Sequence, residues 1–226
     1  MKKSVLITGA SGNLGGAVVQ KFNAEGFRIY TMDRKKAHFE GVDLVATAID
    51  LTDEAAVNEY IAKTTAQATG LKTALLLVGG FAAGDLKKTD GAALQKMYQL
   101  NFETAYFVVR ALLPHFEASG GGHFVLIGTR AAFTAKDAAH LVAYGLSKSL
   151  VMYLAEIINA YGKEKNIRAS VIVPSTIDTP QNREAMPDAD FSKWTTGEAI
   201  ADTIYYLLTD SGTHLRETVL KMYKES

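Results

Sequence analysis

Apolar residues in this chain gather in short unbroken runs, and between the runs they recur at helical spacing. Residues 5–8 form the first run, followed by a helical pattern over 14–25 with Gly26 placed to end it. Runs at 27–32 and 44–49 predict a second and a third strand. Thr52-Asp53-Glu54 then supplies an N-cap and an acidic first turn for a helix through residue 61. A fourth strand is expected over 73–78, a long helix over 92–116 and a fifth strand over 123–127. A helix over 142–161 and a sixth strand over 168–173 follow. Thr195-x-x-Glu198 has the spacing of a capping box opening a last helix at 199–208, and 218–222 predicts a short final strand.

Strands that are apolar throughout, alternating with amphipathic helices, imply an α/β fold: a parallel sheet covered on both faces. No repeat, low-complexity tract or Pro/Ser-rich linker divides the chain, so residues 1–226 read as one domain. The least regular stretches, 79–90 and 174–194, both follow strands. They belong to the edge of the sheet where open α/β folds bind ligands, and 174–194 is expected to cover a substrate.

Composition narrows the partners. A chain of 226 residues is long enough for a full core in one domain. Its 24 basic and 24 acidic residues balance, so no field favours nucleic acid or an anionic membrane, and a small molecule is the expected partner. The absence of cysteine excludes disulfides, thiolate metal sites and a cysteine nucleophile. The five histidines lack the paired spacing of a metal-binding helix, so no metal is expected. Met1-Lys2-Lys3 precedes an apolar run too short for a signal-peptide core, and no run is long enough to cross a bilayer; the expected location is cytoplasmic.

Between the first strand and the first helix stands Thr8-Gly9-Ala10-Ser11-Gly12-Asn13-Leu14-Gly15. Phosphates need close backbone approach, free N–H groups and a helix N-terminus, which Gly9, Gly12 and Gly15 in this context can provide. Asp33, at the end of the second strand, can accept from both adenosine ribose hydroxyls and would repel a 2′-phosphate. Arg34 beside it can pair with that phosphate. NAD(H) is therefore favoured and NADP(H) possible. Asp50, after the third strand, either meets the adenine edge or caps the turn before Thr52.

Tyr144-Gly145-Leu146-Ser147-Lys148 places a phenol and an ammonium four residues apart on one helix face. A fixed cation nearby is expected to stabilise tyrosinate and lower the tyrosine pKa, making Tyr144 a proton donor or acceptor. Alone, such a pair is usually a solvated face. Its weight here comes from following a dinucleotide loop in the same domain.

Together these residues resemble the short-chain dehydrogenase/reductase family over essentially the whole chain. The glycine loop, Asp33, Asp50-Leu51-Thr52, Asn101, Tyr144-x-x-x-Lys148 and Pro174-Ser175-Thr176 occur in the family's order. The resemblance implies a Rossmann-like doubly wound sheet of strand order 3-2-1-4-5-6-7, with helices on both faces. It implies that Tyr144 exchanges a proton with the substrate, that Lys148 holds the nicotinamide ribose, and that Asn101 supports a water relay. It also implies cofactor contacts from Gly9, Ser11, Gly12, Asn13 and Leu14, from Asp33, Arg34, Asp50 and Leu51, from Val78, Gly79 and Gly80, from Tyr144 and Lys148, and from Pro174, Thr176 and Ile177. Pairing of the helices that carry Asn101 and Tyr144, as in family members, implies a homodimer or homotetramer.

Three departures point to a branch. The glycines run Gly-x-x-Gly-x-x-Gly, the usual Asn-Asn-Ala-Gly is Leu76-Leu77-Val78-Gly79 followed by Gly80-Phe81, and Thr129 stands where the family has a serine. Thr129 either hydrogen-bonds a substrate oxygen or is a structural threonine at a strand end. These segments, with Thr176 to Arg183 and Met186 to Trp194, resemble the dihydropteridine reductase branch, whose substrate is a quinonoid dihydropterin; Asn101 belongs instead to the wider family. Three readings stay open: an NADH-dependent reductase of a planar, pterin-like substrate, a carbonyl or alcohol oxidoreductase, and a dinucleotide-sensing regulator without turnover.

Overall fold

The computed structural model describes residues 2–225. Nine strands run in chain order: β1 (Ser4–Thr8), β2 (Arg28–Asp33), β3 (Leu44–Ala48), β4 (Leu71–Leu76), β5 (Gly122–Ile127), β6 (Ile167–Pro174), β7 (Ile177–Asp178), β8 (Thr195–Thr196) and β9 (Val219–Met222). The helices are α1 (Asn13–Ala24), α2 (Glu54–Gln67), α3 (Gly91–Tyr98), α4 (Thr104–Ala118), α5 (Ala135–Ala138), α6 (Val142–Gly162), α7 (Pro180–Ala185) and α8 (Gly197–Tyr206). Seven strands form one parallel sheet in the order β3-β2-β1-β4-β5-β6-β9. This is the expected order: β7 and β8 pair apart from the sheet, so the seventh sheet strand is the ninth in the chain.

Strand alternation splits the core into two layers. Leu6, Phe124 and Leu126 face α2, α4 and α6, where Val57, Leu112 and Val151 meet them. Val5, Ile7 and Val125 face α1 and α8, against Val19, Phe22, Ile200 and Ile204. A sheet buried on both faces is why its strands read as continuous apolar runs. No helix among the described residues is long and apolar enough to cross a membrane.

Four local details differ from the sequence pattern, each for a visible reason. The helix expected over 92–116 is interrupted by a π-helical turn at Gln99–Glu103, between α3 and α4. Such turns mark functional sites, and this one carries Asn101. β4 stops at Leu76 because the N–H groups of Leu77 and Val78 turn to Thr8 Oγ1, at 3.1 and 3.4 Å. The N-cap of α8 is Thr196, whose hydroxyl accepts from Ala199 N–H, whereas the expected cap Thr195 donates its hydroxyl to Met222 C=O. Finally, α2 runs on past residue 61 to Gln67, capped by Asp53.

Candidate active site

The chain reverses strand order at β1, with β2 on one side and β4 on the other, and opens a crevice at their C-terminal ends. The glycine loop occupies it. Gly9 has φ +75°, a region that favours glycine. A Cβ on Gly15 would lie 2.0 Å from Gly9 C=O, so only glycine lets α1 cross the loop this closely. Gly12 caps α1 without a side-chain hydrogen bond, leaving the first amides, at Asn13 and Leu14, to point outward at the positive end of the helix.

Asp33 ends β2 at the rim of this crevice. Its Oδ1 accepts from Ser11 N–H at 3.3 Å and from the Ser11 hydroxyl at 3.1 Å. Oδ2 is buried with no hydrogen-bond partner among the described residues, and the whole residue is only 3% exposed. Burial pushes the carboxyl up, and the Ser11 hydrogen bonds oppose it. A buried acceptor without a donor is costly unless a ligand supplies one, and a ribose hydroxyl is suited to do so. Arg34, next along, is exposed. Together the orphaned oxygen, the open helix end and the Gly9–Gly15 crossing fit the adenosine and pyrophosphate parts of a nicotinamide dinucleotide.

Asp50 takes the capping role: its Oδ1 accepts from Thr52 N–H at 3.0 Å and Thr52 Oγ1 at 2.7 Å, which holds the carboxyl below its ordinary value. Leu51 is buried in the core, so its side chain fixes that turn from below. Val78 lies under the loop, where a Cβ on Gly9 would come within 3.2 Å of it. Pro174 closes β6, and Thr176 and Ile177 begin the covering segment, with Thr176 C=O accepting from Thr195 N–H at 3.1 Å.

The candidate proton-handling groups gather on the other side of β4. Asn101 is 1% exposed, and its side chain ties three elements together. Oδ1 accepts from Gly80 N–H at 2.8 Å, while Nδ2 donates to Gly80 C=O at 3.2 Å and to Ser147 Oγ at 2.9 Å. Ser147 Oγ donates in turn to Tyr144 C=O at 2.9 Å. A Cβ on Gly79 would come within 2.8 Å of Asn101 Oδ1 and 3.1 Å of Lys148 Nζ, so this close approach requires glycine.

Lys148 is 5% exposed and its Nζ donates to Ile127 C=O at 2.9 Å. Burial pulls its pKa down to about 8. Tyr144 departs from the sequence expectation: its hydroxyl is pushed up rather than down, because burial dominates. The one opposing influence is a side-chain hydrogen bond with Thr129, while the ammonium of Lys148 is engaged by the β5 carbonyl. Thr129 makes no side-chain cap to the 3-10 turn Arg130–Ala132 that follows it, and its side chain lies close enough to that of Tyr144 to lower the phenol's pKa.

Two residues carry more than the sequence pattern assigned to them. Ser147 is a buried hydroxyl three residues after Tyr144 and next to the buried Lys148, and a hydroxyl set between the two motif residues is the signal that could have singled it out. Phe81 is 67% exposed yet sets its ring edge-on to Tyr144, with centroids 5.2 Å apart. Its signal was an aromatic directly after Gly79-Gly80. Trp194, by contrast, is 4% exposed and packs against Phe191 at 4.8 Å, with the Arg183 guanidinium over Phe191 at 4.8 Å. These side chains close the covering segment on itself. Among the described residues no group of three or more His, Asp and Glu is placed to hold a metal ion.

Comparison with known proteins gives the family and the fold. The family model described as short chain dehydrogenase matches residues 3–190. A dihydropteridine reductase from Dictyostelium discoideum is 27% identical over 219 residues, covering 93% of this chain and 90% of that protein. A 2-(R)-hydroxypropyl-CoM dehydrogenase from Xanthobacter autotrophicus is 24% identical over 245 residues, covering 98% and 97%. Among solved structures, ElxO with NADP bound superposes with a TM-score of 0.88 at 23% identity, covering 98% of this chain and 97% of that one. The chain belongs to the short-chain dehydrogenase/reductase family of NAD(P)-dependent oxidoreductases.

Proposed function

We propose that this protein is an NADH-dependent reductase of a flat, conjugated substrate of the quinonoid dihydropterin type, with Tyr144 as the proton donor. The observation that carries the reading is the Phe81–Tyr144 pair. An exposed aromatic ring held edge-on to the half-buried phenol gives the mouth of the site an apolar wall, against which a planar ring can lie. The dihydropteridine reductase likeness, over nine-tenths of both chains, supports the same substrate class.

The raised Tyr144 pKa keeps the phenol protonated at neutral pH, the form a reductase needs. The cofactor, when bound, supplies the hydride. Lys148, whose pKa burial lowers to about 8 while its Nζ is held by Ile127 C=O, would hold the ribose. Asn101 acts through its hydrogen bonds to Gly80 and Ser147, fixing the loop that carries Phe81 against the helix that carries Tyr144. Gly9, Ser11, Gly12, Asn13, Leu14 and Asp33 would hold the adenosine and pyrophosphate, and Gly79, Gly80, Thr176 and Ile177 would line the nicotinamide side of the crevice.

A second reading, a carbonyl or alcohol oxidoreductase, draws on one observation: the Thr129 side chain lies close enough to the Tyr144 phenol to lower its pKa. Two hydroxyls side by side can grip a single carbonyl oxygen. Loss of NADH absorbance with quinonoid dihydropterin against a panel of ketones decides between them. Turnover of the pterin at the higher kcat/KM supports the first reading, and ketone turnover without pterin turnover supports the second. The exposed residues Leu146, Leu150, Tyr153 and Ile157 recur along one face of α6 and suit pairing with a second copy, which light scattering checks.

A further inference from the structure

The chain leaving β9 touches both loops that flank the cleft. On one side, Ser175 N–H donates to Met222 C=O at 3.1 Å, the Ser175 hydroxyl to Tyr223 C=O at 3.1 Å, and the Thr195 hydroxyl to Met222 C=O at 2.9 Å. These bonds hold the two ends of the covering segment. Lys224 then reaches back over it: its ammonium donates to the C=O of Ser192 and, at 3.4 Å, to that of Trp194. The carboxylates of Asp178 and Asp190, also on the segment, both feel this charge. On the other side, the Tyr223 ring lies 5.7 Å from the Arg130 guanidinium, and Lys221 stands 4.6 Å over the Phe133 ring. Arg130 is itself 3.6 Å from Asp137, and it directly follows Thr129.

We propose that residues 221–224 brace the two loops across the cleft, and that Lys224 is the positioning residue of the substrate-covering segment. The inference rests on the reading that 174–194 covers the substrate. Trp194 is the point where the segment re-enters the core, so a cation on its carbonyl and on that of Ser192 fixes the return of the loop. Lys224 itself has φ +47°, a conformation that side chains rarely adopt, so contacts must hold it there. The carbonyls of Ser192 and Trp194 supply them, and the nearby charges of Asp178 and Asp190 favour the ammonium there.

Two variants test this, Lys224→Met and Lys224→Arg. Amide hydrogen exchange is followed over 177–193, together with KM and kcat for quinonoid dihydropterin. Lys224→Met is expected to raise exchange in 177–193 at least tenfold, leave β1, β4 and β5 unchanged, and raise KM severalfold with kcat within twofold. Lys224→Arg, which keeps the donors and the charge, is expected to restore both. Unchanged exchange over 177–193, an equal rise throughout the sheet, or faster exchange with an unaltered KM would overturn the proposal. The exchange measurement needs no substrate. If the pterin is not turned over, the substrate assignment fails while exchange alone still decides the brace.

Discussion

Asn101 Nδ2 donates to Ser147 Oγ at 2.9 Å, joining the π-helical turn to the helix that carries both Tyr144 and Lys148. Because the same side chain also pairs with both backbone groups of Gly80, no polar atom of Asn101 is left over. Asn101→Ala would leave the part-buried N–H and C=O of Gly80 without their partner and would take from Ser147 Oγ the donor it accepts from, leaving only its own bond to Tyr144 C=O. The expected cost is about 2–4 kcal/mol of stability, since each orphaned buried group costs roughly 1–3 kcal/mol and some are rescued by water. Urea unfolding measures it. A loss below about 0.5 kcal/mol would show that the clamp contributes nothing.

Asp33 is expected to govern the choice of cofactor. A 2′-phosphate would have to sit beside a buried carboxylate whose second oxygen has no donor. NADH is expected to bind more tightly than NADPH by about 1–3 kcal/mol, the worth of a lost charged hydrogen bond. Asp33→Ser should narrow or reverse the preference, leaving the exposed Arg34 to meet the phosphate. Fluorescence titration of both cofactors checks this, and equal affinities in the parent protein would show that Arg34 already dominates.

Much of this was legible in the sequence because it lives in local pattern. The two-faced parallel sheet follows from apolar runs alternating with amphipathic helices, the strand order from the family resemblance, and the close backbone approach at Gly9 and Gly15 from glycine in a strand–turn–helix context. The Tyr144 pKa was not legible. A motif shows that Lys148 is four residues away, but the sign depends on what each group faces: β5 carbonyl for the lysine, apolar burial for the phenol. The π turn at Asn101 escaped for a similar reason. Its cause is a set of bonds to residues 21 and 46 positions away, which helical periodicity cannot express. The capping box at Thr195 failed by one residue because a threonine hydroxyl was drawn to Met222 instead.

Acid should destabilise the fold through His123. It is 4% exposed, its Nε2 is 2.8 Å from Ser170 Oγ, and burial, reinforced by Arg168 and Arg216, pulls its pKa down to about 3. The ordinary value in the unfolded chain is 6.5. The neutral ring is therefore the folded form, and its contribution is complete above pH 6.5 and lost as pH falls toward 3. Between pH 6.5 and 5 the loss should reach about 2 kcal/mol. His123→Gln, which keeps a hydrogen bond but does not titrate, should remove that part of the slope. Urea midpoints at both pH values test it; parallel slopes in the two proteins would sink the assignment.

Tyr144→Phe should lower turnover at least a hundredfold while leaving NADH affinity nearly intact. General acid catalysis is worth about 100- to 10,000-fold, and the ring that packs against Phe81 is retained. Stopped-flow turnover and NADH titration separate the two effects. Full activity in this variant would mean that the proton comes from elsewhere.

Thr129 separates the two substrate readings. Its side chain acts on the Tyr144 phenol and gives the following turn no side-chain cap, so removing it is expected to disturb the phenol and little of the fold. A ketone needs two donors on one oxygen, and losing one such donor typically costs 100- to 1000-fold in kcat, about 3–4 kcal/mol. A quinonoid dihydropterin is flat and already electron-poor, and it can lie against Phe81 with only Tyr144 to protonate it. Thr129→Ala is therefore expected to change pterin turnover by less than about tenfold, near 1.4 kcal/mol. The measurement is kcat/KM for both substrate classes in the parent and the variant. Good ketone turnover, abolished by Thr129→Ala and accompanied by no pterin activity, would move the protein to the carbonyl reading.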